Sequence, residues 1–166
     1  GSFDTISVSW LFDDNPPPAI IISSPALNPY SSGDSSISIA GSCETSTTVN
    51  ITGDHTASTT CAAGSFIFTG IAKGVDASYV FNLTQTDSAT NVSAATTFTW
   101  IRDTTIPATP TISNFADNPH YTNTSPLTVT GVCITGNTVN IDEGGVNLAT
   151  MVCAGNSYSL NVAKGL

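Results

Sequence analysis

Positive charge is nearly missing from this chain: Lys73, Arg102 and Lys164 stand against twelve Asp and Glu, giving a net charge of -9 over 166 residues. Such a surface repels phosphate backbones and anionic headgroups, so the composition argues against nucleic acid as a partner. Long apolar runs are absent as well. No stretch approaches the ~18 residues that a membrane-crossing helix needs, so no span is expected. A 3.6-residue period is not sustained anywhere, which argues against helices. No Gly-x-Ser-x-Gly, no phosphate-cradling glycine loop and no paired-carboxylate motif occurs, so an enzyme is not expected. Asp142-Glu143 precedes Gly144-Gly145 and reads as the turn of a hairpin. The only histidines, His55 and His120, occupy unrelated positions and read as surface residues. No basic-then-apolar leader opens the chain, which reads as a segment of something longer.

What is present is a repeat. "GSCETSTTVNI" at 41–51 returns as "GVCITGNTVNI" at 131–141, an offset of 90. The same offset puts Trp10 on Trp100, Asp13 on Asp103, Pro17 on Pro107 and Asn28-Pro29 on Asn118-Pro119. After a short insertion Cys61 corresponds to Cys153, Phe66 and Phe68 to Tyr158 and Leu160, and Ala72-Lys73-Gly74 to Ala163-Lys164-Gly165. A fixed offset over so many positions marks a duplication.

Within the first copy the apolar residues alternate: Ile37 and Ile39, Val49 and Ile51, Phe66 and Phe68, then Tyr79, Phe81 and Leu83, then Phe98 and Trp100. Period two with one apolar face predicts half-buried strands. About seven such strands in ~90 residues, separated by Gly, Asn, Asp and Ser clusters, predict an all-β fold of tandem immunoglobulin-like β-sandwiches. Proline-rich "DDNPPPA" (13–19) and "DTTIPATP" (103–110) fall at the junctions, where proline stiffens a linker. The expected parts are residues 1–12, a terminal strand of a preceding repeat or a donor strand, then domain 1 at 13–102 and domain 2 at 103–166. The second copy contains no equivalent of "DASYVFNLTQTDSATNVSAATTFTW" (76–100), so it reads as incomplete towards its C-terminal end. Three explanations stand: a window on a longer array, a copy that closes on fewer strands, or strand exchange with like subunits, "TISVSW" being the donated strand.

Each copy holds two cysteines, Cys43 and Cys61, then Cys133 and Cys153. One pair per copy is what local disulfides give. A zinc site with His55 is the rival, but the second copy has no histidine between its cysteines and zinc favours four ligands. With no tryptophan between the cysteines, the bridge is expected to clip a strand end to a nearby loop. Disulfides of this kind place the protein outside the reducing cytosol.

The junction "DTTIPATP" and the stretch "QTDSATN" (85–91) before the last strand resemble the bacterial Ig-like repeats of large surface adhesins and biofilm proteins. Thr90 stands where that family's Asp-x-Ala-Gly-Asn motif has glycine. The resemblance implies export to the cell surface, neighbouring Ig-like repeats as partners, and a stalk or adhesive role. It also implies a structural Ca²⁺ at the domain junction, held by Asp87, Asn91 and Asp103, with Asp13 and Asp14 at the preceding junction. The alternative is that these aspartates cap turns in water. The expected function is a non-enzymatic stalk segment of an adhesin or extracellular fibre. The runner-up is a module binding a glycan or cell-surface receptor, its ligand unknown, with 52–60 and 142–152 as the variable loops to carry it. Asn50, Asn82, Asn91 and Asn123 begin N-x-Ser/Thr triplets, read as chance occurrences in a Ser/Thr-rich chain. Lys73 and Lys164 read as exposed turn residues rather than crosslinking lysines.

Overall fold

A computed structural model describes residues 4, 6–117 and 119–163. Asn118 of the repeated Asn-Pro pair, the expected Lys164-Gly165 turn, and residues 1–3 and 5 of the expected terminal strand lie outside the described residues. The described residues contain strands and no helix, and they fall into two units, Gly1–Thr104 and Thr105–Leu166.

Unit 1 contains eight strands: β1 (Ile21–Ser24), β2 (Tyr30–Ser32), β3 (Ser36–Ser42), β4 (Thr48–Gly53), β5 (Ala57–Thr60), β6 (Ser65–Ala72), β7 (Ala77–Thr86) and β8 (Thr96–Arg102). They form a three-stranded sheet in the order β1-β3-β6 and a five-stranded sheet in the order β2-β8-β7-β4-β5. The alternation expected from the sequence sets which side chains point inward. Ile37, Ile39, Phe66, Phe68 and Ile71 of one sheet meet Val49, Ile51, Phe81, Leu83, Phe98 and Trp100 of the other in one core. Ile67, which breaks the alternation, points out to solvent. Phe81 and Phe98 sit opposite one another across β7 and β8 with rings stacked 6.3 Å apart. Cross-strand aromatic pairs of this kind lock sheet register. All pairing is antiparallel except that of β2 with β8, which run parallel, with Tyr30 opposite Trp100 and Ser32 opposite Arg102.

Unit 2 repeats part of this frame in β9 (Thr111–Ile112), β10 (Leu127–Val132), β11 (Thr138–Glu143), β12 (Val146–Val152) and β13 (Ser157–Val162). The sheets are β13-β10-β9 and β11-β12, enclosing Val129, Val139, Tyr158 and Leu160. These strands match β1, β3, β4, β5 and β6 in order and pairing. Among the described residues nothing matches β2, β7 or β8. The hairpin read at Asp142-Glu143 is present: Glu143 pairs with Val146 around Gly144 and Gly145, which have φ of 59° and 83°. Two successive positive φ angles are what a tight two-residue hairpin turn requires.

The two copies share one steric demand. A β-carbon on Gly41 would lie 2.1 Å from the Ile21 carbonyl oxygen, and one on Gly131 would lie 1.7 Å from that of Thr111. The first strand of each unit crosses its neighbour that closely, so the glycine is retained in both copies of the sequence.

Residues 6–12 form no strand, and Val8 and Trp10, counterparts of the fully buried Phe98 and Trp100, are 87% and 85% exposed. Alternation supplies an apolar face, but a strand also needs a partner edge, and residues 6–12 pair with none within this chain.

Candidate functional site

The groups that tie the chain to its sandwich lie at the two ends of β7, the ten-residue strand at the centre of unit 1. At the first pole the disulfide Cys43–Cys61 joins residues that directly follow β3 and β5, so it bridges the two sheets at their ends. This corrects the expected strand-to-loop clip. Around it Ser46 N donates to Cys61 O at 3.0 Å and Cys61 N to Thr47 O at 2.9 Å. Cys133–Cys153 occupies the same place in unit 2, with Gly136 N to Cys153 O at 3.0 Å and Cys153 N to Asn137 O at 2.8 Å. No free cysteine remains among the described residues, so no sulfur is left to hold zinc.

Gln85 is the polar residue at an inward position of β7, following Tyr79, Phe81 and Leu83, and it is fully buried. Its Oε1 accepts from Glu44 N at 2.8 Å and lies 2.9 Å from the Thr47 hydroxyl, while its Nε2 donates to the Pro18 carbonyl. Its backbone N donates to Ser93 Oγ at 3.0 Å. A buried carboxamide with partners at both its oxygen and its nitrogen fixes the incoming segment, because losing either partner leaves a polar group dry. Beside it Asn91 Nδ2 donates to Asp13 O at 3.1 Å and to Asp87 Oδ2 at 3.0 Å, and Asn91 N donates to Asp87 Oδ1 at 2.9 Å. Desolvation pushes the Asp87 carboxyl up, but bonds from Asn91 and from the Ala89 and Thr90 amides outweigh it and hold the group below its ordinary value of 3.8. Thr90, where the resembled family has glycine, adopts φ of 73°, the left-handed region that glycine favours.

At the opposite pole Asp76 secures the outgoing segment. Thr104 N and Oγ1 donate to Asp76 Oδ2 at 2.9 and 2.7 Å, and Arg102 Nη1 pairs with Oδ1. The bond from the Thr104 amide, then that from its hydroxyl, hold the Asp76 carboxyl below its ordinary 3.8. Asp103 N donates to Ser32 O at 3.1 Å, at the end of the parallel pair. These bonds carry unit 1 to Thr104, two residues past the boundary expected from the sequence.

The residues expected to hold Ca²⁺ are therefore not brought together. Asp87 follows β7 and lies with Asn91 and Asp13 at the first pole. Asp103 follows β8, whose end pairs with the start of β7, at the other. Ten residues of strand, roughly 33 Å, separate them. Among the described residues no cluster of three or more His, Cys, Asp and Glu has a metal-holding arrangement. The variable stretches are strands for much of their length: 57–60 is β5 and 146–152 is β12. Lys73 is not a free turn residue: its Nζ donates to Asp54 O and lies 4.9 Å from the centre of the Tyr79 ring.

Sequence reasoning passed over Gln85 and Asp76. A glutamine at an inward position of an apolar alternation was the available signal for the first. The second carried none, because its partners are a residue 28 positions away and an arginine 26 away.

No protein-family model matches the chain, and no curated protein matches it in sequence. The described residues contain no helix long and apolar enough to cross a membrane. The two disulfides are compatible with an extracellular protein.

Proposed function

We propose that this protein is a non-enzymatic stalk segment of an exported adhesin or extracellular fibre, built from tandem immunoglobulin-like sandwiches and working through reach and stiffness. The observation that carries this reading is the path of the chain through unit 1. The chain arrives at one pole, where Gln85 and Asn91 hold it, and leaves at the other, where Asp76 holds it. The strands of the five-stranded sheet that come first and last along the chain, β2 and β8, lie side by side and parallel. Tension applied to the two ends draws them past one another. Their hydrogen bonds are then loaded together in shear instead of opening one after another. Strand order supports the immunoglobulin-like assignment, since β1-β3-β6 opposes a sheet in which β8, β7 and β4 are neighbours. The acidic surface favours solubility over contact with anionic polymers.

Single-molecule pulling on the chain tests this reading. Unit 1 is expected to open in one abrupt event, at a higher force than unit 2. Reducing the disulfides should lengthen the released chain of unit 1 by about 60 Å, because the 18-residue loop between Cys43 and Cys61 becomes extensible. Gradual yielding of unit 1 with no discrete event would defeat the stalk assignment.

A further inference from the structure

Unit 1 shows what sits on the edge that, among the described residues, has no strand beside it in unit 2. In unit 1, β4 pairs with β5 on one side and with β7 on the other. In unit 2, β11 carries the same Thr-Val-Asn-Ile sequence and, among the described residues, pairs with β12 alone. Two openings border β11, one near its start and one near its end. One, of about 390 Å³, is lined by Ala108, Cys133, Ile134, Asn137 and Val139. Ala108, Ile134, Asn137 and Val139 are the counterparts of Pro18, Glu44, Thr47 and Val49. In unit 1 the first three of these surround the Gln85 carboxamide, and Val49 pairs with Gln85 across the strands. The other opening, of about 550 Å³, is lined by the segment 120–125 together with Leu127, Glu143, Leu148 and Val162. Glu143 is the counterpart of Gly53, which pairs with Phe81. The first opening thus matches the seat of Gln85, and the second borders the strand position that faces Phe81 in unit 1, four residues away along the added strand.

We propose that the free edge of β11, with these two openings, is a docking site for an antiparallel β-hairpin of the repeat's own type, with the chemistry of Ala77–Arg102. The first strand of the hairpin pairs with β11 and places a carboxamide in the opening beside Ala108. An aromatic residue enters the opening beside Glu143, and a branched aliphatic lies between them, opposite Ile141 as Leu83 lies opposite Ile51. The second strand covers the first with an aromatic pair like Phe98 and Trp100. Added strands of this kind gain backbone bonds for affinity and side-chain pockets for selectivity. The area suffices: aromatic side chains bury roughly 150–250 Å² each, so a hairpin with four of them approaches the ~800 Å² per partner of a stable interface. The proposal rests on the unit 1 template and is independent of the stalk reading.

The experiment extends the full chain at Leu166, counterpart of Val75, with a second copy of Asp76–Arg102. Amide exchange along β11 and the melting of unit 2 are then compared with those of the unextended chain. Exchange at Val139–Ile141 is expected to slow by at least about tenfold. An extension in which the residues copied from Phe81, Leu83, Phe98 and Trp100 are serine should give no slowing. A separate synthetic Ala77–Arg102 peptide added to the unextended chain should protect the same amides. Unchanged exchange in both the extended chain and the peptide mixture would overturn the proposal. So would concentration-dependent assembly of the unextended chain, by light scattering, that is lost in V8S/W10S. That result would give the edge to the Ile6–Phe12 segment of a second copy.

Discussion

Thr48-Val49-Asn50-Ile51 and Thr138-Val139-Asn140-Ile141 are the same four residues in two situations. In unit 1 they form an interior strand between β5 and β7, with Val49 and Ile51 fully buried. In unit 2, among the described residues, they form a strand paired on one side, and Ile141 is only half buried. The local conformation, the turn behind the disulfide and the inward face are the same in both. What differs is the hairpin of β7 and β8, which brings Phe81, Leu83, Phe98, Trp100 and Gln85. A strand's sequence thus sets its shape and its buried face, while the number of neighbours it has is decided elsewhere in the chain.

The comparison can be strained at three points, from the largest effect down. Gly41→Ala and Gly131→Ala each press a methyl group into a backbone carbonyl. Overpacking of this kind costs about 3 kcal/mol. Each change should destabilise its own unit and spare the other, as read by urea denaturation monitored with residue-specific NMR. Equal, small losses would mean that the first strands are not held as close as described. Gln85→Ala strands the Glu44 amide and the Pro18 carbonyl, at about 2 kcal/mol for buried partners left unsatisfied. Because unit 2 has no such residue among those described, its melting should not move, and a calorimetric scan that resolves the two units reads the difference.

Acid is the gentlest probe. Bonds from Thr104 hold the Asp76 carboxyl below 3.8, and Asp87 is held below the same value. A carboxylate whose pKa is lower folded than unfolded contributes stability that is full above the unfolded value and is lost as pH falls through the folded one. Unit 1 should therefore weaken as pH drops below about 3.8, while D76N flattens the Asp76 part of that fall. Loss of stability on raising the pH instead would reverse the assigned sign. Both carboxylates are solvent-accessible, so the effect is the smallest of the three.

Much of this was legible in the sequence, because alternation and repetition are local signals. The inward set Ile37, Ile39, Val49, Ile51, Phe81, Leu83, Phe98 and Trp100 follows from period two alone. The cysteine pairs follow from one pair per copy. The parallel pairing of β2 and β8 was not legible: "YSS" at 30–32 has no apolar pattern, and its register comes from contact with residues about seventy positions away. The residues of the calcium set lie apart for a related reason. A motif match gathers residues by type, but the length of β7 places Asp87 and Asp103 at opposite poles. Residues 6–12 have the alternation of a strand and lack the neighbour that would make them one.

The most direct measurement is native-state hydrogen exchange at two identical tetrapeptides in one sample. Where unit 1 owes its strength to the β7–β8 hairpin laid on a frame that both units share, the amides of Val49, Asn50 and Ile51 exchange far more slowly than those of Val139, Asn140 and Ile141. Matching protection at the two sites would contradict the account, because it would mean that β11 has a second neighbour or that β4 gains nothing from its own.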